Sequence, residues 1–453
     1  MNLQSIIKPT FAVIGCSWLI GAAAAQSTVP TGSLRVISVE EAVQLAIEGS
    51  PGLRASRLRH DSAEDLSRSV RGRFLPSIHL SDEQQHYDRP FAVEFNLDLP
   101  RAPGQPPVPP PSFVARNTNT NTFVAAVGEP LLGLLHIAED HGSFLANAQA
   151  ASEQSASLES TLRQAVQAGY LHLFEAKATF GIAQASEKQL SDQHTIMEAK
   201  LKAGVATQAD LLRLEVAEAN AKLQEIQAGA QAQISRATLL IALGFQTDRS
   251  DLEFAEPVAL ENAARSTLSE LDAQNEASAH RHEVRRLIRQ SEAARHDSRS
   301  KYFQLLPEID LEAAYVHIVG QIFAPLNSEY VGVKASWAIW EWGAGYYSAQ
   351  AADKNARSAR LMVEDEERQV RTEVAAKLAQ LRASATAVEV AQKTIASAEE
   401  AYRVTDALLK AGSATTTDLL DAQSALTQAR LNWVRARYDQ ALASVDFKYA
   451  LGS

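Results

Sequence analysis

Apolar positions along this chain switch between two periods, and the switches mark helices and strands in a repeating order. Val363, Val370, Val374, Leu378, Leu381, Ala385, Val388 and Ile395 fall at steps of three, four or seven. That spacing puts one stripe along one face of a helix and predicts a coiled-coil-like seam. The seam belongs to a helical stretch over 344–409, and a second such stretch covers 134–201. At 1.5 Å per residue each reaches about 100 Å. Elsewhere the period falls to two. Ile309, Leu311, Ala313 and Tyr315 alternate with Asp310 and Glu312, and Val331, Val333, Ala335, Trp337 and Ile339 alternate with Lys334 and Ser336. These are strands with one polar face. Segments 77–87 and 117–127 are the corresponding candidates earlier in the chain, the latter rich in Asn and Thr.

The order of elements repeats because the sequence repeats. Leu75-Pro76-x-Ile78-x-Leu80 returns as Leu306-Pro307-x-Ile309-x-Leu311, an offset of 231. Leu201-Lys202-Ala203-Gly204-x-Ala206-Thr207-x-x-Asp210-Leu211-Leu212 returns from Leu409 to Leu420 at an offset of 208. The difference places 23 extra residues in the first copy, where prolines cluster, and predicts a long polyproline-like loop over 89–117. Two copies of one unit follow: 33–244 and 264–453, with a linker over 245–263. Each reads helix, hairpin, long helix, tight turn, helix. Gly204 and Gly412 supply the left-handed residue that ends a helix, and Thr207 and Thr415 can cap the next one.

The N-terminus carries an export signal. Lys8 precedes an apolar run that ends in Ala23-Ala24-Ala25. Small residues at −3 and −1 predict a signal peptide over 1–25. The competing patterns are a membrane anchor, for which the run is short, and lipidation at Cys16, since Val13-Ile14-Gly15-Cys16 resembles a lipobox. Past residue 25 no apolar run is long enough for a membrane helix, so an exported chain is either soluble or crosses a membrane as strands.

Composition narrows the function. A net charge of −11 offers no surplus of cations for phosphates, so nucleic acid is an unfavourable partner. A single cysteine excludes a disulfide framework or a multi-cysteine metal site. The 6% of aromatics beside abundant Ala fits helices that approach closely rather than a bulky globular core. His280 with His282, and His79 with His86, lack metal-ligand spacing and read as packed or solvated side chains. No phosphate loop, HExxH or GxSxG is present, and neither catalytic, cofactor nor metal residues are expected.

Four strands cannot close a barrel, and an open amphipathic sheet exposes two edges. Closure therefore needs several chains: two give eight strands, three give twelve. The helices likewise lack a core of their own to bury their long seams. Together these features resemble the TolC-like outer-membrane efflux protein family over nearly all of the exported chain. The duplicated Leu-Pro-x-Ile-x-Leu entry, Glu129-Pro130-Leu131-Leu132, the paired Gly-x-Ala-Thr-x-x-Asp-Leu-Leu turns and the run from Asp418 to Leu431 carry that resemblance. It implies a mainly α fold with a small β part. A long α-helical barrel would continue a transmembrane β-barrel with four strands per chain, closed as a trimer.

The resemblance further implies no enzyme but an exit duct in the Gram-negative outer membrane, serving an inner-membrane transporter in efflux or type I secretion. Gly204, Val205, Ala206 and Thr207, with Gly412, Ser413, Ala414 and Thr415, would meet a periplasmic adaptor. Asp418 and Asp421 would ring the periplasmic aperture, with the helix dipole as the alternative role of Asp418. Trp337, Trp340, Trp342, Tyr346 and Tyr347 would lie at the interface with outer-membrane lipid. An exported, soluble coiled-coil scaffold is the alternative. This chain departs from the family pattern at Ala338-Ile339-Trp340-Glu341-Trp342-Gly343, which lacks the usual proline.

Overall fold

A computed structural model describes residues 35–95, 111–247, 249, 251–257 and 268–452. The signal segment with Cys16, and much of the Pro-rich stretch, lie outside these residues.

The chain opens with a three-residue strand, β1 (Arg35–Ile37), and two helices, α1 (Val39–Gly49) and α2 (Pro51–Gly72). The sequence predicts one helix here. It breaks because Ser50 accepts from the Leu53 amide as an N-cap and Pro51 starts a new helix where its missing N–H costs nothing. Strands β2 (Ser77–His86), β3 (Phe91–Glu94) and β4 (Ser112–Pro130) follow. Then come α3 (Gly133–Lys202), α4 (Gln208–Ala242) and β5 (Leu252–Phe254). The order then recurs: α5 (Glu270–His280), α6 (His282–Phe303), β6 (Glu308–Gln321), β7 (Asn327–Ser336), α7 (Ala344–Lys410) and α8 (Thr416–Leu451).

Three boundaries differ from the sequence reading. The stretch 89–117 is not one loop, because β3 and the start of β4 pair with each other inside it; Phe91-Ala-Val-Glu contains no proline to prevent this. The sheet therefore has a fifth, short strand beside the four expected. The last strand ends at Ser336, paired with Glu308, rather than at Ile339. Apolar alternation runs on past the residues that have a pairing partner. The linker over 245–263 also contains β5, which pairs in parallel with β1.

β2, β4, β6 and β7 form one antiparallel sheet in that order, with β3 beside β4. The helices form a wall: α3 packs on α4 and α8 in its lower half and on α2 and α6 in its upper half, while α7 packs on α6 and α8. Val370, Val374, Leu378 and Leu381 of the predicted seam are buried against α5 and α8 residues. The largest core lies at mid-height, where Ile37, Leu53, Val166, Tyr170, Leu173 and Leu239 meet.

Tyr170 pins the small β1–β5 sheet to α3. Its hydroxyl reaches the Ile37 carbonyl at 2.9 Å and the Ala255 carbonyl at 2.5 Å. Burial, reinforced by the nearby charge of Glu40, pushes its pKa up to about 12, so it remains a donor at all physiological pH. Tyr170→Phe removes the one hydroxyl donor that the Ile37 and Ala255 carbonyls share, although Ile37 keeps the Ala255 N–H. It is expected to cost about 1–2 kcal/mol in chemical unfolding, without loss of helical circular dichroism under native conditions.

Candidate functional site

The two helical hairpins end in matching turns. Gly204 and Gly412 adopt φ of 75° and 78°, as a helix C-terminus requires of its first residue beyond the cap. Val205 N–H donates back to the Lys200 carbonyl and Ser413 N–H to that of Leu408. The next helices start in full capping boxes. Thr207 Oγ1 accepts from Asp210 N at 3.2 Å and Asp210 accepts from Thr207 N at 3.3 Å; for Thr415 and Asp418 the values are 3.2 and 2.8 Å. Gly204, Gly412, Ser413, Thr207 and Thr415 are exposed, Ala206 and Ala414 half-buried, and Val205 is 74% exposed. Arg213 donates to Thr417 Oγ1 at 3.3 Å, tying one hairpin to the other just above the tip.

Asp418 and Asp421 do different things. The Thr415 hydroxyl, then the Thr415 backbone N–H, hold the Asp418 carboxyl below its ordinary range. Asp418 is thus a helix cap, a role the sequence reading set beside the aperture. Asp421, one turn on and exposed, belongs to no cap.

At the opposite end the sheet presents aligned apolar rows. Ile78, Val127, Ala313 and Val331 lie side by side; Leu80, Ala125 and Tyr315 form the next row on one side. On the other side come Leu311 with Val333, then Ile309 with Ala335. Ile78, Leu80, Leu311, Val331 and Val333 are all exposed. Four rows run about 20 Å along the strands, or about 15 Å of height at the usual barrel tilt, which lies within the apolar thickness that an outer-membrane barrel presents. The row beyond Leu80 is mixed, with Asp82, His317 and Asn327 beside Phe123. Trp337 follows β7 at the helical end of the band, its indole N–H donating to the Leu305 carbonyl at 3.2 Å. Trp340 stacks edge-on to Trp342, and Tyr346 to Tyr347, all four exposed. Trp342 has φ of 53°, alone among described non-glycine residues in the left-handed region. The exit from β7 turns sharply there without a proline. Among the described residues no helix is long and apolar enough to cross a membrane.

A sheet with a lipid-sized apolar band, running into helices of about 100 Å with paired tips, has close structural counterparts. CusC aligns with a TM-score of 0.78 at 15% identity, covering 94% of this chain and 96% of that one. The outer membrane protein VceC of Vibrio cholerae aligns at 0.75 and 15%, covering 92% and 96%. The MtrE outer membrane channel of Neisseria gonorrhoeae, in its open state, aligns at 0.73 and 16%, covering 94% of each. No functionally curated protein matches the sequence. The family model for outer membrane efflux protein matches residues 273–453. Those residues are thus similar to outer membrane efflux proteins. The chain as a whole shares the fold of these proteins.

One buried cluster escaped the sequence. Arg281, at the break between α5 and α6, is buried. It pairs with Glu283 at 3.0 Å and Glu373 at 3.1 Å and lies over the Tyr449 ring. Ser157 donates to Glu283 at 2.8 Å, which brings α3 into the same knot. Burial pushes the Glu283 carboxyl up, but Ser157, a backbone N–H and Arg281 outweigh it and leave the pKa below the ordinary value. The sequence shows only a charged run, His280-Arg281-His282, and spacing cannot say that its middle member faces inward. His282 instead sits 2.7 Å from Glu153 on α3, and His86 lies 2.7 Å from Asn119. Among the described residues no group of three or more side chains could hold a metal ion.

Proposed function

We propose that the chain is a passive exit duct through the Gram-negative outer membrane, formed by three copies and docked at its helical tip to a periplasmic adaptor of an inner-membrane transporter. The observation that carries this reading is an unfinished wall. β2 and β7 each leave one sheet edge unpaired. Along α4, Leu212, Val216, Leu223, Ile226, Ile234 and Ile241 are exposed in one continuous stripe, while Leu214 and Ala221 face α3. Open strand edges and a long exposed seam are what a neighbouring copy covers. Three copies of the four long strands make twelve, enough to leave a lumen.

The two sequence repeats, 33–244 and 264–453, each supply one hairpin of the sheet and one of the wall. Residues 1–25 serve as a cleaved export signal, with Cys16 leaving with it or, if retained, anchoring lipid. The turns at Gly204–Thr207 and Gly412–Thr415 meet the adaptor, and the aromatic group from Trp337 to Tyr347 meets the lipid interface. Asp418 and Asp421, three residues apart on the first turns of α8, bring six carboxylates to the aperture of a trimer. The family and the structural counterparts are channels rather than enzymes.

Purified in detergent, the chain is expected to run as three copies and to conduct cations over anions in planar bilayers. Asp418→Asn with Asp421→Asn should weaken that selectivity several-fold. A monomer recovered from the soluble periplasm would favour the scaffold reading instead. Unchanged selectivity in the double variant would remove the aspartate ring.

A further inference from the structure

At the second exit from sheet to wall, a cavity of about 350 Å³ lies between the end of α6, the paired ends of β6 and β7, and the start of α7. Its charged lining is Lys301, Glu308 and Glu341; Trp337 and Leu305 supply apolar wall. Cavities of this size hold small ligands.

The repeated fold does not demand these charges. Offsets of 231 before the hairpin and 208 after it set Lys301, Glu308 and Glu341 against Val70, Ser77 and Gly133 of the first copy, all uncharged. The second offset also sets Ala338, another lining residue, against Pro130. In the first copy Pro130 closes in on Gly133: its Cβ lies 2.8 Å from where a Gly133 Cβ would stand. At the second exit alanine replaces that ring, and a carboxylate replaces that glycine.

The charges share the cavity without meeting. Lys301 Nζ reaches Gln304 Oε1 at 3.4 Å, and among the described residues neither Glu308 nor Glu341 has an ion-pair partner. Opposite charges held near but apart suit a ligand that carries both signs in the reverse arrangement. One cation and two carboxylates match one anionic group and one ammonium, with Trp337 and Leu305 beside the carbons that join them.

The cavity stands at a defined height. Glu308 pairs with Ser336 on the polar side of the sheet, while Trp337 continues the apolar line of Val331, Val333 and Ala335. The cavity thus wraps the end of the strands at the helical limit of the apolar band, where Trp340 and Trp342 are exposed. Bilayer headgroups lie at such a limit, and aromatic side chains collect there.

We infer that this cavity binds a phosphoethanolamine group, with Lys301 on the phosphate and Glu308 and Glu341 around the ammonium. A phospholipid of the periplasmic leaflet supplies the group, its acyl chains lying along the apolar band. That source rests on reading the sheet as part of a membrane barrel; a free phosphoethanolamine ester carries the same chemistry. The result is one lipid held per chain at the joint between sheet and wall.

Native mass spectrometry of the purified full-length protein, titrated with phosphatidylethanolamine or phosphatidylglycerol of equal chain length, tests the site. Phosphatidylethanolamine is expected to bind about tenfold more tightly, at one molecule per chain. Glu308→Gln with Glu341→Gln should remove the preference, and Glu308→Lys with Glu341→Lys should reverse it. Both glutamates are exposed, so the variants should fold. Equal binding of the two lipids, or a preference that the variants leave unchanged, overturns the proposal. Glycerophosphoethanolamine separates the sources. If it displaces the lipid, the headgroup alone is read and a free ester can fill the cavity; if it does not, the acyl chains are needed and the bilayer is the source. Cell fractionation is scored separately. A chain that shows the preference but is recovered as soluble keeps the cavity and loses the membrane reading; one in the outer membrane without the preference loses only the cavity.

Discussion

Valine at Gly204 and Gly412 together is expected to abolish export while the protein still accumulates in outer-membrane fractions. Both glycines hold left-handed backbone, where an L-residue costs about 1–2 kcal/mol and a β-branched one more. A Cβ built at either position meets nothing within 4 Å, so the chain itself does not resist the added side chain. The strain reshapes the turn, and the new side chain projects into space that the proposed adaptor contact occupies. The body of the fold lies far along the helices and should be untouched. The measurement is efflux of a fluorescent substrate from cells carrying the complete pump, beside the amount of chain in the outer membrane. Normal efflux with normal levels would show that the turns serve only to reverse the chain.

Arg281→Ala is expected to be the most destabilising single change, at about 3 kcal/mol in chemical unfolding followed by helical circular dichroism. Removing one partner of a buried ion pair leaves the other charge without compensation, typically about 3–5 kcal/mol. The lower end applies because Glu373 stays about a third exposed. The pair with Glu283 is the buried part. Arg281→Met combined with Glu283→Gln should recover much of the loss, since the cost lies in the orphaned charge rather than in the absence of a salt bridge.

The same knot has a pH signature. Glu283 is held below its ordinary pKa in the folded chain, so its contribution is fully present above the unfolded value near about 4.3 and fades as pH falls through the folded one. Wild type should therefore lose stability on acidification below about pH 4 more steeply than Arg281→Ala does. Equal acid sensitivity in the two proteins would mean that Arg281 does not set the Glu283 titration.

Legibility in the sequence followed the range of the interaction. The long helices were readable to within a few residues at each end, because period and capping are local. Gly204 with Thr207 and Asp210, and Gly412 with Thr415 and Asp418, announced both tip turns, since every group in a capping box lies within three residues of its partner. Strand starts were readable where Leu-Pro preceded alternation, at Ser77 and Glu308. Strand ends were not. β7 stops where its partner runs out, and alternation through Trp337 and Ile339 carries no trace of that. β3 was hidden by the prolines around it, and three-residue strands such as β1 and β5 are too short to show a period.

By itself the sequence determined the two-fold order of elements, the lengths of the helices, the tip turns and the amphipathic sheet, all of which rest on contacts between residues close along the chain. Tertiary structure alone decided which residues share a place across it. Arg281 finds Glu373 and Ser157, Tyr170 finds Ile37 and Ala255, and Gln423 finds Gln189 with an acceptor left over. Each depends on helices distant in sequence settling side by side, where burial and pairing are set by the neighbour's chemistry and not by the residue's own spacing.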